Sequence, residues 1–183
     1  VTKQQEKQQW KVTLNVEVDG QSMSYPIGVD LLRSIISSCS DTEANSTLFE
    51  IMAQHPAAGI RQEVASKEFL PENARARLSE DTEMAVLRNL CSNGKFRRFA
   101  SENLVLELIT KDKDCAEMIA SWIEEFQNCD TDVLAEAFLS STDPERRWFL
   151  ANNYSTPTKV LKRLSADPDP GIAAEAKKRL AER

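Results

Sequence analysis

Two distant stretches of this chain carry nearly the same pattern. Val64 to Asp81 reads VASKEFLPENARARLSED, and Leu150 to Asp167 reads LANNYSTPTKVLKRLSAD. Superimposed without a gap, Ala65 falls on Ala151, Pro71 on Pro157, Arg77 on Arg163, Leu78 on Leu164, Ser79 on Ser165 and Asp81 on Asp167. A chain repeats itself in this way when each copy is a structural unit that cannot bury its apolar face alone. Stacked copies share one continuous core, and the shared Pro and Asp mark the turns between helices.

The punctuation supports short helices throughout. QHPAAG, SEDTE, TKDKD, SSTDPE and SADPDPG each place Asp, Pro or Thr where a helix can start. In Asp143-Pro144-Glu145, Asp accepts from free N–H groups, Pro suits the first helical position, and Glu favours the positive end of the helix dipole. Hydrophobic anchors precede these turns at Met52, Leu78, Ile109, Leu139 and Leu164, spaced 26, 31, 30 and 25 residues apart. That is a degenerate helix–turn–helix repeat. SNGKFRRFASENL reads as a short insertion into it.

The first part of the chain has a different period. In WKVTLNVEVDGQSMSYPIG, Trp10, Val12, Leu14, Val16 and Val18 alternate, Asp19-Gly20 suits a type I′ turn, and Met23, Tyr25 and Ile27 resume the alternation. This predicts a β-hairpin from about Trp10 to Ile27 after a polar, frayed start over residues 1–9. A lone hairpin is marginal in water. Its apolar face is expected to cap the helices, or else to offer an edge to a partner strand. From Val29 the helical period begins, with Leu31, Leu32, Ile35 and Ile36 as one stripe. The expected architecture is mainly α: a right-handed α-α superhelix, or solenoid, over residues 29–183, with residues 1–28 forming the tail and hairpin.

FLANNYSTPTKVLKRLSADPDPGIAAEAKKRL resembles the leucine-rich repeat variant family, close to HEAT-like α-solenoids. Leu150-Ala151 with Asn152-Asn153, Thr156-Pro157, Val160-Leu161, Leu164 and Asp167-Pro168-Asp169-Pro170 carry the match. The resemblance implies a scaffold for other macromolecules. Some variant-family members carry a cysteine-ligated iron–sulfur cluster. Cys39, Cys91, Cys115 and Cys129 are not clustered in this sequence, so that feature is not carried over. Some HEAT-like relatives bind DNA through a basic concave face.

Composition limits the chemistry. Lys and Arg total 23 against 29 Asp and Glu, a formal charge of −6, which opposes general attraction to nucleic acid or anionic lipid. No apolar run is long enough to span a bilayer; no basic-then-apolar segment opens the chain, and export by a removed signal stays open as an alternative. The cysteines read as free thiols in a reducing, cytoplasmic setting. The single histidine, His55, precedes Pro56 in a repeat turn and reads as a helix-terminal or surface residue rather than a catalytic base. Asp112 and Asp114 read as turn and cap residues. No cofactor or metal is expected.

The expected function is a non-enzymatic scaffold that binds another protein along a helical groove. Arg61, Arg88, Arg147, Trp122 and Trp148 are the candidate anchors. Arg61 and Arg147 share one repeat register, so both could meet a partner, or each could pair with a turn Asp of the next repeat. Trp122 and Trp148 could pack in the core or serve as interface hot spots. The alternative is nucleic-acid binding or processing. It requires Arg61, Arg88, Arg97, Arg98 and Arg147 on one face, with KFRRF (Lys95–Phe99) contacting phosphate.

Overall fold

The computed structural model describes residues 10–183, so the expected frayed segment 1–9 lies outside the described residues. The chain is mainly helical, with an N-terminal antiparallel hairpin. The hairpin pairs β1 (Thr13–Val18) with β2 (Gln21–Pro26), Leu14 opposite Tyr25 and Val16 opposite Met23. Asp19 and Gly20 have φ of 51° and 76°, the two positive values that a type I′ turn requires. The N–H of Ile27 donates to Val12 at 3.0 Å, extending the ladder toward its base.

Only that base rests on the helices. Trp10, Val12 and Ile27 pack against the core, and the Trp10 ring meets His55 edge-on with centroids 5.0 Å apart. Leu14, Val18, Met23 and Tyr25 are 45–54% exposed. The expected apolar cap is therefore confined to the hairpin's root.

Twelve helices follow: α1 (Val29–Ser38), α2 (Ser46–Met52), α3 (Ala58–Ala65), α4 (Glu72–Ser79), α5 (Met84–Ser92), α6 (Gly94–Phe99), α7 (Glu102–Lys111), α8 (Lys113–Ser121), α9 (Thr131–Leu139), α10 (Pro144–Asn152), α11 (Thr158–Leu164) and α12 (Pro170–Ala181). Their packing is ordered. α1, α3, α5, α8, α10 and α12 form one row, each against the next. α2, α4, α7, α9 and α11 cover that row, each packing on the row helix that follows it.

The core lies between the row and its cover. Ile36, Phe49, Ile60, Val64, Leu78, Val86, Leu90, Ile109, Ile119, Phe138 and Leu150 are fully buried. At about 25 cal/mol per Å² of apolar surface, each such side chain contributes roughly 1.5–3 kcal/mol. Of the α1 stripe only Leu32 and Ile36 are buried, while Leu31 and Ile35 face solvent. α1 ends the row and has a neighbour on one side only. The ninth helix buries Phe138 completely and Leu139 partly, one residue off the expected anchor. Helices this short depend on such packing and on their caps.

Candidate functional site

The row is laced by polar side chains that recur at equivalent positions. The first set stands at the turn before a row helix. His55 Nδ1, Asp81 Oδ1, Ser141 Oγ and Asp167 Oδ1 each accept from the N–H two residues on, at Ala57, Glu83, Asp143 and Asp169, over 2.9–3.2 Å. Histidine, serine and aspartate all supply a short-range acceptor, so the turn persists while the residue varies. The adjoining Asp143 and Asp169 then cap α10 and α12, each followed by Pro at the first turn.

The second set ties one turn to the next. Arg61 donates through Nε and Nη2 to Asp81 at 2.6 and 2.9 Å, and through Nη1 to the carbonyls of His55 and Pro56 at 2.9 Å. Arg147 reproduces this on Asp167 at 2.8 and 3.1 Å and on Ser141 O at 2.6 Å. The fork of five N–H donors lets one guanidinium hold its own turn and the following one. Both pairs are largely shielded, with side-chain exposures of 17% and 6% for Arg61 and Asp81, and 11% and 4% for Arg147 and Asp167.

Asp112 combines both roles. It caps α8 by accepting from the Cys115 N–H at 2.9 Å and binds Arg88 at 3.0 and 2.6 Å. Arg88 also reaches Asp114 at 3.2 Å and remains 41% exposed. The Arg88 guanidinium, aided by the Cys115 N–H, holds the Asp112 carboxyl down at about 2. At Asp167 the bond from Arg147 is the main cause of a lowered value, with the Asp169 N–H adding to it. At Asp81, burial opposes ionisation, and the bonds from Arg61 and the Glu83 N–H outweigh it.

A third set closes the far ends of the row helices. Lys67, Asn93, Trp122 and Asn153 each stand three residues past a fully buried position: Val64, Leu90, Ile119 and Leu150. Lys67 donates to Ser37 and Cys39 carbonyls, Asn93 to those of Ala65 and Lys67, and Asn153 to that of Ala120. These reach the free carbonyls that end the preceding helix. Trp122 has no such amide. Its counterpart carbonyls, at Cys91 and Ser92, accept instead from Arg97 Nη1 at 3.2 and 2.7 Å. Arg97 comes from the insertion helix α6, pairs with Glu125 at 2.8 Å, and lies 4.8 Å from the Trp122 ring centre.

These placements sort the candidate residues. Arg61 and Arg147 form the pairs with a turn Asp of the next unit. Arg88 makes a comparable link from a different position on its helix. Trp122 follows α8 and is 46% exposed, while Trp148, on α10, is 37% exposed, so neither ring is a core filler. KFRRF forms α6: Phe96 and Arg97 are buried, whereas Phe99 is 65% exposed and Arg98 faces solvent. Arg97 is not offered to phosphate: it turns inward and donates to the carbonyls that end α5.

His55 is 5% exposed and serves as a cap at the start of α3, so its surface alternative is corrected to a buried one. Burial lowers its pKa below the usual 6.5, and the nearby Arg61 charge adds to this against the opposing Ala57 bond. All four cysteines are free, Cys91 and Cys115 being buried. The Cys115 thiol is pushed up by its hydrogen bond with Cys91 and by burial. Among the described residues, no group of His, Cys, Asp and Glu side chains is arranged to hold a metal ion, and no helix is long and apolar enough to cross a membrane.

Trp148 and Tyr154 are exposed where α8 packs on α10. There a cleft of about 370 Å³ is lined by Lys113, Glu117, Glu145, Trp148, Phe149 and Tyr154, with Ser121, Asn152 and Asn153 completing it. Lys113 pairs with Glu145 across the two helices. Trp148 was a candidate from sequence, but Glu117 and Tyr154 were not. Neither belongs to the repeated positions, and only the stacking of α8 on α10 brings them together. No family model matches the chain, and neither the curated proteins nor the solved structures contain a match to it.

Proposed function

We propose that this chain is a non-enzymatic helical-repeat scaffold, a right-handed α-solenoid of the leucine-rich repeat variant or HEAT-like kind, that binds a protein partner along its helical row. The observation that carries this reading is the pairing of rigidity with exposure. Three sets of recurring polar links hold neighbouring helices in register, and the same row presents Trp148, Trp122 and Tyr154 to solvent. Aromatic side chains held on a preorganised surface lose little freedom on binding and make effective anchors. The partner contact is drawn to Trp148 and the α8–α10 cleft. Arg61 and Arg147 act beneath it, as residues that position the helices. The setting proposed is cytoplasmic, and no cofactor is required.

The nucleic-acid alternative finds less support. Arg61, Arg88, Arg97 and Arg147 each sit against a carboxylate, at Asp81, Asp112, Glu125 and Asp167. A guanidinium so neutralised offers phosphate little attraction.

The test is selection of a random displayed peptide library on the immobilised chain, with labelled single- and double-stranded DNA run in parallel at physiological salt. The expected outcome is a peptide family whose retention is lost on Trp148→Ala and unchanged by Arg98→Ala. Recovery of no peptide, with retention of DNA, would refute the scaffold reading.

A further inference from the structure

Resting on the scaffold reading, we infer that the α8–α10 cleft takes a cationic side chain, an arginine or lysine presented by a basic partner segment. Three observations converge. First, the cleft holds a carboxylate with no cation of its own. Glu145 is paired with Lys113, but Glu117 forms no ion pair among the described residues and is exposed. The chain as a whole carries a formal charge of −6, so the surrounding field favours a cation over an anion.

Second, the wall is aromatic. The ring faces of Trp and Tyr carry partial negative charge and attract guanidinium or ammonium groups. The chain already uses this on its own surface. Arg97 lies 4.8 Å from the centre of Trp122, Arg179 lies 3.7 Å from that of Tyr154, and Lys95 lies 4.8 Å from that of Phe69. Trp148 is exposed in the cleft, and among the described residues no cation lies over its ring. An incoming cation would complete there the arrangement that Trp122 and Tyr154 already have.

Third, the rest of the lining suits a side chain with an apolar stem. Phe149 is half-buried beside Trp148 and can pack methylenes, while Ser121 Oγ, which donates to the Glu117 carbonyl, and Asn152 Oδ1, which already accepts from Arg179 at 3.1 Å, each keep a lone pair for a guanidinium N–H. A carboxylate would instead meet Glu117 and Glu145. It would have to compete with Glu145 for Lys113, since Arg179, over the Tyr154 ring, is already held by Glu175 and Glu182.

The test is an NMR titration of the isotope-labelled full chain with N-acetylarginine methylamide, against N-acetylcitrulline methylamide, which has nearly the same shape and no charge. The arginine probe is expected to shift the Trp148 indole N–H and the Tyr154 and Glu117 resonances. Affinity should fall at least fivefold for the citrulline probe, for Glu117→Gln and for Trp148→Leu. Both substitutions are at exposed positions, and unchanged spectra elsewhere will establish that the variants fold. Equal shifts from citrulline, no shifts from arginine, or indifference to Glu117→Gln overturn the inference. The peptide selection separates this from the wider reading. Peptides that need Trp148 but lack Arg and Lys overturn the cation site and leave the scaffold standing. Recovery of no peptide counts against the scaffold, and the arginine titration still decides the cleft.

Discussion

Arg97 covers the Trp122 ring at 4.8 Å and at the same time donates to the helix-end carbonyls that an amide at position 122 would otherwise serve. The insertion helix α6 thus replaces a missing link of the row. Arg97→Met should destabilise the chain by about 1–2 kcal/mol, because it leaves a buried carbonyl unpaired. Adding Trp122→Asn should recover part of that loss. Urea unfolding of the two single variants and the double gives the coupling directly, and strict additivity would refute the replacement.

Shielded and exposed ion pairs should differ sharply. Arg147→Met strands the Asp167 carboxylate, only 4% exposed, and is expected to cost roughly 3 kcal/mol or more. Arg163 and Glu136 are 58% and 55% exposed, and Arg163→Met should cost at most about 0.5 kcal/mol. Equal midpoints in urea for the two variants would remove the structural role assigned to Arg147.

Acid should loosen the Arg88–Asp112 link in a defined window. The folded carboxyl lies at about 2, below its ordinary 3.8. Its contribution is therefore fully present above the ordinary value and is lost as the pH falls through the folded one. Asp112→Asn should flatten this part of the stability–pH curve and lower stability at neutral pH. An unchanged slope between the two values would contradict the assignment.

His55 acts in a milder range. Its folded pKa lies below 6.5, so the neutral ring is the one the fold accommodates. Its contribution is present above 6.5 and declines as the pH falls below that value, because the unfolded chain then binds the proton more readily. His55→Ser keeps a cap acceptor, as Ser141 shows in the equivalent turn, and should abolish the slope. It should also release the Trp10 ring, seen as altered fluorescence.

Thiol reactivity should follow burial. Burial, with the nearby Glu102 charge, pushes the Cys129 thiol up to about 11, and Cys91 and Cys115 are closed off entirely. An aromatic disulfide reagent at mildly alkaline pH should label Cys39 first, Cys129 slowly, and the buried pair only after unfolding. Early labelling of Cys115, read by peptide mapping, would contradict the packing of α5 on α8.

Much of the helical framework was legible because it depends on local chemistry. Asp143-Pro144 and Asp169-Pro170 start helices, Asp19-Gly20 turns the hairpin, and α1 begins at Val29 where the period changes. The doubled pattern also marked Arg61 and Arg147 as equivalent. The insertion obscured the rest. Six helical residues between Asn93 and Ala100 displace the register, so nothing in the spacing shows that Trp122 stands where Asn93 and Asn153 do, or that Arg97 turns inward. The hairpin's exposed face was misread because alternation reports two faces without saying how far the strands project. Glu117 and Tyr154 became visible only when α8 and α10 were brought side by side.

The ordered row also has a mechanical meaning. Helices that pack chiefly on their immediate neighbours transmit load in series, so a pull across the row is borne by every junction in turn. At most junctions the brace belongs to the row itself. Between α5 and α8 the row's own Arg88–Asp112 pair is joined by a brace from outside, through Arg97 on α6. A pull across that junction is therefore shared between two arms, one within the row and one reaching in from α6.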